Sequence, residues 1–375
     1  MNARSVLFMP LIFGIAVAAT ATEAPSATES MPSTAALIEK MAAARALVAV
    51  HNVRISHDGT NAVIAVWSGA SEDPIRVVEL RSCRTSASDL AVECRRYTRS
   101  SVEYVVTAPA NTLVLAAKTR TCIDHRCRRT QTATQTPYAA MIHTPGMVAV
   151  GRRYLDSLVL SAKAELDKLE TPSLAVPGSR VTDLALERIL AAIPIVEHGR
   201  SDQVEELGIR HVVEEFLVFL AANGENAFAG TISRANARGI AQFISSSYQL
   251  TRTRYKNAQL IADFRSGTDD HLNAVKAQFC LADWTLTELS SESLAKLRIP
   301  LFEEDLGAYI AAAYNGGEHR AARAHRRYPE SWEKSGRGLF RETIGYVNFF
   351  RLVYRQLWID PDIKMAATQD RTFDP

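Results

Sequence analysis

The chain has almost no net charge. Its 375 residues include 43 lysines and arginines against 41 aspartates and glutamates, which leaves a formal charge of +2. Nucleic-acid-binding domains carry a basic excess on one face, so this balance indicates no nucleic-acid partner. The sequence also has no internal repeat, and its length predicts two domains rather than one.

The chain also lacks an apolar run long enough to span a membrane. The N-terminal run, Val6–Ala18, is shorter than the ~20 residues that a spanning helix needs. It follows the positively charged MNAR segment and precedes Ala19-Thr20-Ala21, which offers small residues for signal-peptidase cleavage. We therefore predict a signal peptide over residues 1–21 and no membrane span after its cleavage. No cysteine follows the run, which argues against a lipoprotein anchor.

The cysteines are few and mostly clustered. Four of them fall within one stretch of the sequence: Cys83, Cys94, Cys122 and Cys127. In an exported domain this clustering predicts two disulfides, with three pairings open. Cys83–Cys94 and Cys122–Cys127 would each close a short loop. A zinc site at Cys122, His125 and Cys127 is the alternative, but its spacing matches no familiar zinc motif. Cys280 lies on an apolar helical stripe and is predicted to be a buried free thiol.

The composition changes along the chain and predicts a domain order. Residues 22–49 suit a linker and a short helix, and residues 50–142 contain β-branched runs separated by turn signals. A linker helix is predicted over 143–177, nearly continuous helix over 178–360, and a tail over 361–375. The predicted fold class is therefore α+β multidomain: a small antiparallel β domain, sandwich or barrel, followed by an all-α domain.

The predicted β domain is rich in arginine. The residues concerned are Arg81, Arg84, Arg95, Arg96, Arg99, Arg120, Arg126, Arg128 and Arg129. One interpretation is a binding face for a protein or another partner in the cell envelope. The other, which we favour, is a solvated face that protects edge strands from pairing with other chains.

The helix predicted over residues 184–197 carries an acid in an unusual position. Leu186, Ile189, Leu190 and Ile193 share one apolar stripe, and Glu197 continues that stripe. If the stripe is buried, desolvation raises the pKa of Glu197. A carboxylic acid with a raised pKa can protonate a glycosidic oxygen near neutral pH. From this pattern alone, a glutamate that faces solvent at a helix end is the alternative.

Three later segments also carry polar residues of interest. ISRANARGIAQF (232–243) predicts a turn into a helix, where Gly239 permits close backbone approach and Gln242 offers an amide to sugar hydroxyl or acetamido groups. LGAYIAAAYNGG (306–317) is a small-residue helix, and Tyr314 and Asn315 at its end are not explained by capping alone. In RETIGYVNFFRLVY (341–354), the side chains of Glu342 and Tyr346 share one helix face.

Taken together, the four segments resemble the catalytic domain of SLT-type lytic transglycosylases, in the lysozyme-like superfamily, over about residues 178–360. IPIVEH (193–198) is similar to LPxVES, and 232–243 to S-x-x-G-A-x-G-L-x-Q-F. AYNGG (313–317) is similar to A-Y-N-A-G, and ETIGYV (342–347) to E-T-x-x-Y-V. The chain departs from these motifs at His198 (usually Ser), Asn236 (usually Gly) and Gly316 (usually Ala).

The resemblance implies a site as well as a fold. It places the catalytic acid at Glu197 and gives substrate-binding roles to five residues: Gln242, Tyr314, Asn315, Glu342 and Tyr346. Glu225 is the alternative acid, because its spacing from Gln242 is close to that in soluble members of the family. Asn223-Gly224 predicts a helix C-cap, however, which puts Glu225 in a loop. Choosing Glu197 requires an additional helix over about 204–222.

The implied reaction is cleavage of peptidoglycan glycan strands between N-acetylmuramic acid and N-acetylglucosamine, leaving a 1,6-anhydro end. One glutamate acts as acid and then as base, without a metal or cofactor, and the sequence offers no second acid with a clear role. Such an enzyme would be periplasmic. Two alternatives remain: a hydrolytic muramidase that uses a second carboxylate such as Glu225, and an inactive peptidoglycan-binding scaffold.

Overall fold

A small antiparallel β part precedes a larger helical part in this protein. The computed structural model describes residues 32–69, 73–96, 102–124, 126–233, 235–334 and 336–359. The predicted signal peptide (1–21), residues 22–31 of the predicted linker, Arg99, His125 and the predicted tail (361–375) lie outside the described residues. No helix within the described ranges is both long enough and apolar enough to cross a membrane.

The β part contains a four-stranded antiparallel sheet and a separate hairpin. The strands are β1 (Ala62–Trp67), β2 (Arg76–Leu80), β3 (Ala91–Arg96), β4 (Val102–Ala108), β5 (Leu113–Cys122) and β6 (Thr130–Gln135). The sheet order is β2-β1-β5-β6, and β3 pairs with β4. The hairpin packs on one face of the sheet through an apolar cluster that includes Ile64, Leu90 and Tyr104. The sheet is open, so it does not close into a barrel.

Four of these strands, β1, β2, β4 and β5, coincide with β-branched runs of the sequence (62–67, 75–80, 102–108 and 112–118), and two were not predicted. The two are β3, AVECRR, and β6, TQTATQ. Each pairs with a single neighbour, β3 with β4 and β6 with β5. Both sequences are mostly polar, so they lack the apolar run by which the other four strands were predicted.

Helix α1 (Thr34–Ala49) covers the other face of the sheet. Its buried residues are Leu37, Met41, Ala44 and Val48, whose spacing places them on one helical stripe. They pack in one cluster with Val63, Ala65 and Trp67 of β1. Strand β1 is therefore buried on both faces, which explains its uninterrupted apolar sequence.

The helical part has one extensive apolar core. Its helices are α2 (Pro145–Lys168), α3 (Glu187–His198), α4 (Val204–Asn223), α5 (Ser245–Arg254), α6 (Phe264–Asp269), α7 (His271–Leu286), α8 (Ser291–Leu297), α9 (Glu303–Gly316), α10 (Glu318–Arg327) and α11 (Arg341–Trp358). Leu155, Leu158, Ala162 and Leu166 of α2 belong to this core. The segment predicted as a linker helix thus packs inside the helical part instead of separating two domains.

The two parts are joined by buried hydrogen bonds at the end of β6. The backbone N–H of Thr136 donates to Asn223 Oδ1 (2.7 Å), and Asn223 Nδ2 donates to the Thr136 carbonyl (3.0 Å). Arg45 of α1 donates to Thr136 Oγ1 (2.9 Å) and to the Ala222 carbonyl. Asn223 is 1% exposed, and its amide satisfies a backbone N–H and a carbonyl that would otherwise be buried without partners. This pairing holds β6 against the C-terminal end of α4.

The clustered cysteines form two pairs, and each closes a short loop. Cys83 pairs with Cys94 at a Cα–Cα distance of 5.7 Å, and Cys122 pairs with Cys127 at 4.8 Å. His57 Nε2 lies 3.8 Å from Cys127 Sγ. Because the Cys122 and Cys127 sulfurs pair with each other, they do not act as separate thiolate ligands for a metal. Cys280 is a buried free thiol, as predicted.

Several of the β-part arginines lie beside carboxylates on the exposed surface. Arg81 pairs with Glu79 (3.0 Å) and Arg95 with Glu93 (3.3 Å). Arg129 approaches Asp124 (3.8 Å) and also donates to Asn236 Oδ1 of the helical part (3.0 Å). Such local pairing at exposed sites is typical of a solvated face.

Peptide mapping tests the cysteine pairing. Trypsin cleaves after Arg84 and Arg126, so it separates Cys83 from Cys94 and Cys122 from Cys127 unless disulfides join them. We expect a non-reduced digest to contain peptides cross-linked Cys83–Cys94 and Cys122–Cys127. Alkylation should label Cys280 only after unfolding, because this thiol is buried. A cross-link between the two pairs would refute this arrangement.

The contact between α2 and α4 predicts a strong effect of one added methyl group. A Cβ on Gly151 would lie 1.8 Å from the Leu217 carbonyl oxygen, so the helices would have to separate. We expect Gly151→Ala to lower the free energy of unfolding by about 3 kcal/mol. Gly345→Ala on α11 is the matched control, because its Cβ would meet no atom within 4 Å. The free energy of unfolding of this control variant should rise by about 0.5–1 kcal/mol. Equal urea midpoints for the two variants would contradict the close contact between α2 and α4 at Gly151.

Candidate functional site

Glu197 lies in the last turn of α3, at the wall of a cavity of about 360 Å³. The preceding residues of the stripe are almost completely removed from water: Leu186, Ile189 and Ile193 are 0% exposed. Burial of this helix therefore carries the carboxyl group of Glu197 into an apolar environment, as the sequence pattern predicts.

The pKa of Glu197 is raised to about 7, and the cause is desolvation of its carboxyl group. A hydrogen bond from the Tyr346 hydroxyl to Glu197 Oε1 (2.6 Å) acts in the opposite direction, because it stabilises the carboxylate. Near neutral pH the group is therefore present both as an acid and as a base. This is the property that a proton-transfer residue requires.

Two tyrosines from separate helices meet beside this carboxyl group. Tyr346 of α11 donates to it directly, and the Tyr314 hydroxyl of α9 donates to the Ala241 carbonyl (2.5 Å). Burial, and next the charge of Glu197, raise the pKa of both phenols well above the ordinary value. Both hydroxyls consequently keep their protons and act as hydrogen-bond donors.

The segment before α5 requires glycine and places Gln242 at the cavity. Gly239 has φ +71°, and a Cβ there would lie 1.8 Å from the Thr268 carbonyl oxygen. This is the close backbone approach that we predict at this position. The Gln242 side chain donates from Nε2 to the Gly239 carbonyl (2.9 Å) and also lines the cavity. The tight turn thus fixes the orientation of the amide.

His198 holds the same segment in place. Its Nε2 lies 3.2 Å from the Gly239 carbonyl oxygen and 3.1 Å from that of Ile240, so this nitrogen carries the proton and donates. The imidazole stacks on Phe228, with ring centroids 3.8 Å apart. Burial lowers the pKa of His198 to about 4, so the ring is neutral near pH 7. Where the family motif has serine, this chain has a side chain that ties the Glu197 helix to the Gln242 segment.

The other two departures from the motifs, Asn236 and Gly316, also fit their local structure. Asn236 has φ +62°, in the left-handed region that asparagine adopts most readily after glycine. A Cβ on Gly316 would lie 2.8 Å from Thr343 Oγ1, so alanine would crowd this hydroxyl. The same hydroxyl donates to Asn315 Oδ1 (2.9 Å) and links α9 to α11.

Five of the seven predicted residues are not among those that line the cavity, and three of these five are also exposed. Glu225 is exposed in the short turn Gly224–Asn226 that follows the C-cap of α4. Asn315 and Glu342 are also exposed, and Asn315 accepts the hydrogen bond from Thr343. The cavity therefore brings Glu197 and Gln242 together, with Tyr346 and Tyr314 beside them, and leaves these three residues outside.

A second carboxylic acid, absent from the sequence prediction, lines the same cavity. Glu215 of α4 is 9% exposed, and burial raises its pKa to about 7. His211 Nε2 lies 3.9 Å from Glu215 Oε2. Glu215 is in line with Val212 and Phe219 on an apolar helix face. That is the signal that identified Glu197, so the sequence contained the signal for a buried acid at Glu215 but not for its position at this cavity.

The remaining lining residues form an aromatic floor and a polar wall. Phe216, Phe219 and Phe228 provide the aromatic surface, and their rings lie within 5.3 Å of one another, centroid to centroid, along the series 216–228–219. The polar wall comes from β4, β5 and β6 of the β part. A larger cavity of about 820 Å³, next to Trp332, contains none of the predicted site residues.

No protein-family model matches the chain, and neither a curated protein nor a solved structure was found to match it.

The raised pKa of Glu197 predicts how stability depends on pH. The folded state holds the proton to about pH 7, whereas the unfolded chain releases it near 4.5, so the stability present below pH 4.5 is lost as pH rises through 7. Glu197→Gln removes this loss, because an amide does not ionise. Relative to the parent, the variant should gain about 2.5 kcal/mol in free energy of unfolding between pH 5 and pH 8.

Urea unfolding across this pH range measures the effect. Glu225→Gln is the matched control, because Glu225 is exposed and the substitution is the same. The plot of its free energy of unfolding against pH should run parallel to that of the parent. Parallel curves for the parent and Glu197→Gln would show that the Glu197 carboxyl group is solvated in the folded protein.

Proposed function

We propose that this protein is a peptidoglycan lytic transglycosylase, with Glu197 as its catalytic acid and a lysozyme-like helical domain. The observation that carries the proposal is the desolvated Glu197 carboxyl group, with a pKa of about 7, at the wall of a cavity. Tyr346, Tyr314 and Gln242 meet around it although they come from distant segments. The motif resemblance assigned these same residues to one cleft.

The reaction uses Glu197 twice. Its protonated carboxyl gives a proton to the oxygen between N-acetylmuramic acid and N-acetylglucosamine, the C1–O bond breaks, and N-acetylglucosamine leaves with a hydroxyl group. The carboxylate then accepts the proton of the muramic C6 hydroxyl while O6 bonds to C1, which gives the 1,6-anhydro end. The proton returns to Glu197 and no water is consumed. A pKa near 7 suits both steps, because neither protonation state is strongly disfavoured.

The neighbouring tyrosines support this proton transfer from two sides. The Tyr346 hydroxyl hydrogen-bonds Glu197 at 2.6 Å, so it stabilises the carboxylate that forms after the first step. Tyr314 donates to the Ala241 carbonyl and thereby fixes the residue next to Gln242. Gln242 and the aromatic floor then offer the amide and the ring faces that an N-acetylated sugar binds.

A hydrolytic muramidase is the second candidate, and Glu215 is the observation that favours it. A second carboxyl group with a raised pKa lines the cavity, and its carboxylate form could accept a proton from water that attacks C1. Glu197 would protonate the leaving oxygen as before. The product would then carry a reducing end, so the two reactions are distinguished by the mass of one water.

The cellular assignments follow from the same proposal. Export through the signal peptide and a periplasmic location fit the two cysteine pairs and a peptidoglycan substrate. A protein or envelope partner for the basic surface of the β part stays a prediction.

Mass spectrometry of muropeptides released from purified sacculi tests the function. We expect residues 22–375 to release 1,6-anhydro products and Glu197→Gln to lower the rate by about 10²–10⁴, the range for loss of a general acid. Glu225→Gln should retain activity, because Glu225 is exposed outside the cavity. Glu215→Gln should still form anhydro ends.

Other outcomes would redirect the assignment. Reducing-end products that disappear in Glu215→Gln would establish the muramidase. Loss of activity only in Glu225→Gln would move the acid to that residue. A folded chain that binds sacculi and releases nothing soluble would establish a peptidoglycan-binding scaffold.

A further inference from the structure

One wall of the Glu197 cavity belongs to the β part. Five residues of its last two strands line the cavity, and we call them the β5–β6 wall: Thr119, Thr121, Gln131, Ala133 and Gln135. The resemblance to transglycosylases stops at about residue 178, so it assigns no role to these strands.

Strand register explains why these residues share a surface. Thr119 is opposite Ala133, and Thr121 is opposite Gln131. Because side chains alternate along a strand, these positions point to one face of the β5–β6 pair. On the other face, Arg120 is paired with Thr132, and both are exposed. The wall residues are half-buried instead, since their face looks into the cavity.

The side chains of the wall can bind polar ligands. Hydroxyl and amide groups both donate and accept hydrogen bonds without carrying charge. Within the described ranges, Thr119, Thr121, Gln131 and Gln135 make no side-chain hydrogen bonds. Four polar side chains with unused donors and acceptors thus face the site that holds Glu197.

The charges around the cavity favour a neutral ligand. Glu103, Glu197 and Glu215 line it together with one guanidinium group, that of Arg200. Three carboxyl groups against one guanidinium group disfavour the acidic stem peptides of peptidoglycan. They do not oppose an uncharged sugar whose hydroxyl and acetamido groups need donors and acceptors.

The wall is held in a fixed position relative to the helices. Thr136, the residue after β6, is bonded in both directions to Asn223 at the end of α4. Glu215 lies two turns earlier on the same helix. Arg129 before β6 donates to Asn236, in the segment that leads to Gln242. Little reorganisation is therefore needed for one ligand to contact the wall and the Glu197 side together.

We propose that the β5–β6 wall binds an uncharged N-acetylated sugar residue of the glycan strand, next to the bond that Glu197 protonates. Gln131 and Gln135 hydrogen-bond its acetamido and hydroxyl groups, and the phenylalanine floor contacts its apolar ring face. The identity of the ligand rests on the proposed function. The β part is then a component of the substrate site rather than an independent accessory domain.

Calorimetry with defined sugars tests the wall separately from catalysis. The probe is the β-1,4-linked hexamer of N-acetylglucosamine, titrated into residues 22–375 carrying Glu197→Gln to prevent turnover. Adding Gln131→Ala and Gln135→Ala should weaken binding about tenfold, the effect of losing two ordinary hydrogen bonds. Thr132→Ala is the matched control on the opposite face and should bind like its parent. Cellohexaose, which lacks acetamido groups, should bind about tenfold more weakly than the probe.

A second variant separates loss of binding from loss of folding. Gln131→Glu with Gln135→Glu keeps side-chain volume, removes two amide donors and adds negative charge, so it should bind still more weakly while its circular dichroism melting curve matches the parent. Equal affinity in all wall variants would overturn the proposal. So would binding of an isolated stem peptide that the wall substitutions abolish, or failure of the parent to bind the hexamer.

The two proposals fail in different experiments. If anhydro-muropeptides are released but hexamer binding does not depend on the wall residues, the transglycosylase proposal stands and the wall proposal is refuted. If hexamer binding depends on the wall residues but no product is released, the wall proposal stands and the transglycosylase proposal is refuted.

Discussion

The site depends on the burial of one helix. In α3, every residue from Ile189 to Val196 is buried, so this stretch of the helix has no solvent-facing side. A helix that is apolar all round must be enclosed by others, and α2, α4, α7, α9 and α11 enclose it. The carboxyl group that follows on the same stripe is desolvated as a consequence. The raised pKa of Glu197 is therefore a property of the core rather than of a local charge pair.

The network around Glu197 has few ionic contacts. A phenol donates to its carboxyl, and a neutral imidazole fixes the backbone that carries Gln242. A guanidinium or ammonium partner would lower the pKa of Glu197 and leave it ionised at neutral pH. Hydrogen bonds from neutral groups position the acid while its proton remains available. This favours a residue that gives up a proton and recovers it within one reaction.

Two desolvated carboxyl groups on one cavity distinguish this chain from a site with a single acid. Glu197 and Glu215 reach the cavity from different helices, and each owes its raised pKa mainly to burial. Under the transglycosylase proposal Glu197 alone handles protons, and Glu215 contributes to the polarity of the cleft. Under the hydrolytic candidate the same geometry supplies the base. The choice depends on whether the sugar C6 hydroxyl or a water occupies the space beside C1.

Local sequence determined much of this protein. Helical periodicity predicted α3 and the in-line position of Glu197, and the need for glycine at residue 239 was predicted from its turn. These features depend on residues a few positions apart. Only the tertiary structure decided that Glu225 is exposed, that Glu215 shares the cavity, and that β6 forms part of its wall. Desolvation and cavity lining arise from packing between distant segments, and a polar edge strand such as β6 carries no apolar pattern to reveal its position.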